Sequence, residues 1–196
     1  MKIAFSLALF ALFTASHAQQ WGLTTPIKTR SEFLAIRMVN DNVAYAVDKP
    51  MGAILRTTDG GQNWERRMVN SFNKPMAIFM WNAEHGIAVG ESGLVMRTDD
   101  GFVTATSSTD PGNGHYRTIF FLNDTLGWIG TESGKILRTT DAGATWAVMQ
   151  SGQPSYNYIT RIQFLGPDTG YASCYGGEML KSVDSGLTWQ GIGPFD

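Results

Sequence analysis

The side chains of this 196-residue chain whose types could carry a reaction are three arginines, Arg37, Arg117 and Arg161, two tyrosines, Tyr116 and Tyr158, and two glutamates, Glu91 and Glu132. Brought together, the guanidinium groups could hold a substrate carboxylate while a tyrosine backed by a glutamate attacks a sugar and a further acid protonates the leaving group. That is hydrolysis of an acidic glycoside. The sequence does not assemble the set. Glu91 and Glu132 stand in matching Glu-Ser-Gly turns at 91–93 and 132–134, so both read as parts of a recurring backbone feature, and nothing pairs either tyrosine with a suitable glutamate. No catalytic residue is assigned. His85 and His115 are single residues in turns without ligand spacing, which predicts no metal site, and no glycine loop leads into a helix to cradle a phosphate. No cofactor is expected.

What the chain does repeat is a turn and the strands around it. Four copies run from Gly52 to Trp64, Gly93 to Ala105, Gly134 to Trp146 and Gly177 to Trp189, and their aspartates fall at 59, 100, 141 and 184, in steps of 41, 41 and 43. A period of this length marks a repeat architecture. In each copy an apolar run stops at a short polar turn and resumes, in three of the four, at a tryptophan, which is a hairpin pattern. Asp141 can accept hydrogen bonds from the N–H groups of its own turn, Gly143 allows a positive φ, and Trp146 can fold back beneath them, burying roughly 150–250 Å². Asp59, Asp100, Asp141 and Asp184 are therefore committed to turns and do not count as a catalytic pair. The second copy departs from the others: Thr98 and Asp100 remain, but Phe102 replaces the glycine and Ala105 the tryptophan, so its hairpin is the weakest of the four on this reading.

These residues resemble the Asp-box, or bacterial neuraminidase repeat, family of β-propellers. The strict copies are Thr57, Asp59, Gly61 and Trp64; Thr139, Asp141, Gly143 and Trp146; and Ser182, Asp184, Gly186 and Trp189. The upstream spelling Gly127-Trp128-Ile129-Gly130, followed by Gly134, Ile136 and the turn itself, is most similar to the photosystem II stability/assembly factor branch, and less so to sialidase and sortilin-type propellers. The resemblance implies an all-β propeller of about four four-stranded blades acting as a non-enzymatic scaffold that binds a protein client, with the Asp-box turn generally away from any substrate. The alternative it leaves open is a carbohydrate-active propeller, either a sialidase-like glycoside hydrolase or a glycan-binding module. In the assembly-factor branch an arginine-rich surface takes part in client binding, which makes Arg37, Arg117 and Arg161 the candidate partner-binding residues. They also break the repeat pattern, with Phe79, Phe120 and Gln163 standing where Arg37 stands. Arg56, Arg97, Arg138 and Lys181 instead recur at one position, just before the turn, and are expected to flank it and bridge to neighbouring carboxylates.

Residues 1–18 have the charged start, apolar run from Ile3 to Phe13 and small-x-small exit of a secretory signal peptide. The domain at 19–196, with repeats at about 33–73, 74–114, 115–156 and 157–196, is expected to be periplasmic or extracellular. No other stretch approaches the ~20 apolar residues that a membrane span needs. The formal net charge is −2 and the basic residues are scattered through the repeats, which excludes the basic stripe of a nucleic-acid binder. Cys174 is the only cysteine and lies in an apolar stretch, so a buried thiol is expected and no internal disulfide can form.

In the third repeat the pattern places strands at about 117–122, 126–130, 135–139 and 146–150. Ile36, Ile78, Ile119 and Ile162 share a register, as do Met38, Met80, Phe121 and Phe164, and in the second strands Tyr45, Ile87, Trp128 and Tyr171. Such matched apolar positions are what blade-on-blade packing requires. The stretches 66–74 and 150–158 read as rim loops, and Trp21 to Ile27 as an outer strand that would latch a ring onto its last blade. Three arrangements satisfy the count: a closed four-bladed ring, part of a larger propeller, or two open half-rings paired.

Overall fold

The computed structural model describes residues 32–70, 72–109, 114–149 and 158–193; the expected signal peptide at 1–18, the expected latching strand at Trp21 to Ile27 and most of 150–158 lie outside them. Each repeat forms one antiparallel meander of four strands. The first blade holds β1 (Phe33–Met38), β2 (Ala44–Asp48), β3 (Ala53–Thr57) and β4 (Glu65–Val69). The second holds β5 (Pro75–Met80), β6 (Gly86–Gly90), β7 (Val95–Thr98) and β8 (Thr106–Ser108). The third holds β9 (Tyr116–Phe121), β10 (Gly127–Thr131), β11 (Ile136–Thr139) and β12 (Ala147–Met149). The fourth holds β13 (Ile159–Phe164), β14 (Gly170–Cys174), β15 (Met179–Ser182) and β16 (Gln190–Ile192). The fold is all-β, a row of β-propeller blades.

The expected register is present residue for residue. Ile36 faces Ala46, Ile78 faces Ala88, Ile119 faces Ile129 and Ile162 faces Ala172 across the first two strands of each blade. Because side chains alternate along a strand, each blade has one face towards the preceding blade, its leading face, and one towards the following blade, its trailing face. Neither face can be covered within a single sheet, so the blades stack. Tyr45, Val47 and Ile54 of the first blade pack on Ile78, Met80, Ala88 and Met96 of the second. Phe79, Ile87 and Val95 of the second meet Ile119, Phe121 and Leu137 of the third. Trp128 and Ile136 of the third meet Ile162, Phe164, Ala172 and Leu180 of the fourth, with Trp128 stacked on Phe164 at 3.7 Å between ring centroids.

Among the described residues the series does not close on itself. No comparable packing of the first blade on the fourth is found among the described residues. Ile36 and Met38, whose counterparts are buried in the other three blades, are 66 % and 57 % exposed.

Two expectations are corrected. Residues 65–69 are not loop but β4, paired to β3, because each blade takes its outer strand from its own repeat, so the connection to the second blade is confined to 70–74. For the same reason the position beside β15 that a latching strand would take is filled by β16.

Candidate functional site

The repeated turns are closed by two tiers of hydrogen bonds. In the third blade the Thr139 hydroxyl accepts from the Gly143 N–H at 2.9 Å and donates to Asp141 Oδ1 at 2.7 Å, while Asp141 in turn accepts from the Thr145 N–H and hydroxyl at 2.9 and 2.6 Å. In the first blade the Gly61 N–H donates to the Thr57 hydroxyl at 2.9 Å, and Asp59 accepts from that hydroxyl and from the Asn63 N–H. The fourth blade repeats the scheme with Gly186, Ser182, Asp184 and Thr188. It recurs equally at Thr98, Asp100 and Thr104, so the divergent second hairpin forms an intact turn. There Phe102 takes the glycine's left-handed backbone at φ 62° and drives its ring, fully buried, between the first two blades against Tyr45.

The three strict copies are alike in hydrogen bonding but not in packing, and this corrects their reading as equivalent staples. Gly61 shares the positive φ of Gly143 and Gly186, yet a side chain at Gly61 would meet only the Trp64 indole of its own turn, at 3.8 Å. At Gly143 and Gly186 it would press on Ile87 and Trp128, each in the blade before. Gly61 is therefore required for its backbone alone, because the first blade has no preceding blade among the described residues. The tryptophans differ in the same way. Trp189 is buried and donates its indole N–H to the Gly186 carbonyl at 3.2 Å, whereas Trp64 and Trp146 are only partly buried, Trp146 with its edge towards Phe121.

Donors aimed at a carboxylate favour its charged form. Asp59 is held at about 2, chiefly by the Asn63 N–H, and Asp100, Asp141 and Asp184 at about 2, chiefly by the hydroxyls of Thr104, Thr145 and Thr188. These acids stay ionised and occupied, each in its own blade.

The recurring cations join blades, and they do so through carbonyls rather than carboxylates. Arg97 Nη1 donates to the Ala142 carbonyl at 2.6 Å and Arg138 Nε to the Ser185 carbonyl at 2.9 Å, in each case the residue just after the turn aspartate of the next blade. Arg56 lies over the Tyr45 ring and against Gly101, the same position in the second blade. Lys181, in the fourth blade, has no following turn among the described residues and lies over Tyr171.

The chemically mixed surface is elsewhere. Every innermost strand carries a β-bulge at one register, leaving Leu34, Met76, Arg117 and Thr160 as the extra residues. A bulge re-aims its extra side chain, and all four line an open cleft of about 440 Å³ together with Tyr158 and Tyr175. Arg117 is ion-paired with Glu132 and its guanidinium lies 5.5 Å from the centre of the Tyr158 ring. Glu132 also has His115 Nε2 at 3.8 Å, and the His115 Nδ1 accepts the Ser92 N–H at 2.9 Å, tying the cleft to the second blade. Tyr158 and Tyr175 form an exposed ring pair at 5.7 Å, and the Thr160 hydroxyl is held by Ser173. The cleft thus offers one oriented guanidinium, two aromatic faces and an apolar wall of Leu34 and Met76.

The three arginines singled out from the sequence occupy three different registers and do not gather. Arg117 is in the cleft. Arg37 lies on the Phe79 ring, 4.4 Å from its centre, and burial lowers its pKa. Arg161 is exposed on the trailing face of the fourth blade. Glu132, read as a turn residue, does hold its turn through its N–H to the His115 carbonyl, but it also positions Arg117. Tyr175 was not anticipated. The signal available for this site was the lone charge of Arg117 in a slot that is otherwise Leu, Met and Thr. Cys174 is buried, and burial raises its pKa. Among the described residues no group of three His, Cys, Asp or Glu could hold a metal ion.

No protein-family model and no curated protein sequence matches the chain. Solved structures do match in fold. The structure of YCF48 bound to D1 peptide superposes with a TM-score of 0.67 at 21% identity, over 86% of this chain and 55% of that one. A catalytically inactive virginiamycin B lyase from Staphylococcus aureus with quinupristin gives 0.70 at 17% identity, over 88% of this chain and 58% of the lyase. The GH74 xyloglucanase from Xanthomonas campestris gives 0.66 at 15% identity, over 84% and 31%. The chain spans about half the length of the first two and less than a third of the xyloglucanase.

Proposed function

We propose that this chain is an exported, non-enzymatic propeller scaffold that binds an extended segment of a client protein across the mouth of its central cleft. The observation that carries the reading is the Arg117, Tyr158 and Tyr175 cluster facing Leu34 and Met76. A guanidinium with N–H groups left over from Glu132 takes a peptide carbonyl or carboxylate, and the tyrosine faces take its side chains. The solved YCF48 structure, similar in fold and holding a peptide, supports the same reading. The leader-like residues 1–18 support export.

Binding to a library of peptides from exported proteins, read by fluorescence polarisation, tests it. Tyr158→Ala and Arg117→Ala are each expected to weaken a captured peptide on the order of 10-fold or more while the melting temperature stays within a few degrees. Peptide binding that both variants leave unchanged would overturn the assignment.

A second reading has its own observation. Arg117 lies between Glu132 and Tyr158, and a glycoside hydrolase, the xyloglucanase, is among the structures of like fold. Turnover of any member of a glycoside panel, abolished by Glu132→Gln, would replace the scaffold with a carbohydrate-active protein.

A further inference from the structure

We propose that the notch between the second and third blades, at the end of the inner strands away from the cleft, is a second binding site, and that it takes a neutral saccharide.

The repeats supply their own comparison. Between successive blades four slots meet at this rim: the residue after the inner strand, the residue before the second strand, the residue between the turn hydroxyl and the turn aspartate, and, from the next blade, the second residue of its first turn. Between the first and second blades they hold Val39, Val43, Thr58 and Ala83, and between the third and fourth Leu122, Leu126, Thr140 and Pro167. Between the second and third they hold Trp81, His85, Asp99 and Asp124. All four depart together, and these side chains line one open cavity of about 310 Å³ with Asn82 and Arg97. The blade fold does not require them, since the same strands and turns form around the other residues elsewhere in the row. Met76 of the cleft lies near the start of β5 and Trp81 just past its end, so the two sites are at opposite ends of one strand. Both walls of the notch lie within the row.

The groups present are those that hold hydroxyls. Asn82 Oδ1 accepts the N–H groups of Glu84 and His85, each at 2.8 Å, which leaves its amide nitrogen as a donor. His85 Nδ1 lies 3.1 Å from the same oxygen and so carries the ring proton. Nε2 of the neutral ring is then an acceptor, and it stands 3.9 Å from a second acceptor, Oδ1 of the exposed Asp99. Arg97 gives one N–H to the Ala142 carbonyl and keeps others for a ligand. A hydroxyl both donates and accepts, so a ring of hydroxyls answers both kinds of group, whereas two carboxylates repel an anion and Arg97 a bare cation. Trp81 adds apolar surface for the C–H face of such a ring: it makes T-shaped contacts with Phe79 and Phe121, at 5.6 and 4.8 Å between centroids, and stays only partly buried. The site is independent of what the cleft binds.

Saturation-transfer NMR and calorimetry of the protein with glucose, galactose, mannose, N-acetylglucosamine and their disaccharides, and with tyramine as an aromatic cation, test it. At least one neutral sugar is expected to bind, and more tightly than tyramine. Trp81→Leu, Asp99→Thr and Asp124→Ala each install what another blade carries at that slot, and each should weaken the sugar on the order of 10-fold or more. Asp99 and Asp124 are exposed, so their variants should keep the melting temperature and report on binding even if Trp81→Leu loosens the blades. No sugar bound, tyramine bound in preference, or sugar binding that Asp99→Thr and Asp124→Ala leave unchanged overturns the proposal. So does sugar binding lost on Arg117→Ala instead, which would place the sugar in the cleft.

Discussion

At the scale of single residues, the turn hydroxyl matters more than its exposure suggests. Thr139 is 2 % exposed and its oxygen is the acceptor for the Gly143 N–H inside the blade. Thr139→Val keeps the shape and removes that acceptor, so it should cost about 1–3 kcal/mol in a denaturant titration, whereas Thr145→Val at the exposed rim should cost less. The carboxylates set the acid limit. Asp59, Asp100, Asp141 and Asp184 are lowered from 3.8 to about 2 by the donors around them, so their contribution is fully present above about pH 4 and is lost as pH falls towards 2. Melting temperature should hold level from pH 7 to 5 and fall between 4 and 2, and a profile flat to pH 2 would show that the turns add nothing to stability. This layer was legible in the sequence because each turn is closed by residues at most six positions apart. The Arg117 and Glu132 pair was not, because pairing of β9 with β10 brings together side chains fifteen residues apart.

At the scale of strands and turns, one substitution shows how local rules yield to packing. Sequence reasoning marks Phe102 as a defect, since a bulky residue resists the left-handed backbone that glycine provides elsewhere. The backbone conformation is met, at φ 62°, and the ring fills the space between the first and second blades. Phe102→Ala should therefore cost about 3–5 kcal/mol, on the scale of a large core truncation, as measured by chemical denaturation. The reverse change fails for the complementary reason. A side chain at Gly186 would meet the Trp128 indole, so Gly186→Ala should destabilise by about 1–3 kcal/mol, and a neutral result would mean that this interface is looser than its geometry. Strand order and register were readable from the matched isoleucines and aromatics. The outer strand β4 was not, because Glu65-Arg66-Arg67 lacks the alternation that marks a half-buried strand. Nor was the separate standing of Gly61, whose motif is spelled like that of Gly186 and differs only in what lies across from it.

At the scale of the whole molecule, stability is shared between neighbouring blades rather than drawn from one centre, so the ends of the row should open first. Hydrogen exchange should be slowest in β6 and β10, whose residues are buried throughout, and faster in β1 and β13. Equal protection in all four blades would contradict this. The number of blades could be counted from the sequence. Whether they meet could not, because closure depends on the angle between sheets, which no residue encodes alone. One feature of the inner strands reaches further. Each repeat contributes a single residue to the opening through its bulge, and those four positions lie outside the paired ladder that fixes the register. On the proposed function, recognition is thereby uncoupled from folding: Leu34, Arg117 and Thr160 could be rewritten one repeat at a time, and the same body addressed to a different ligand without being rebuilt.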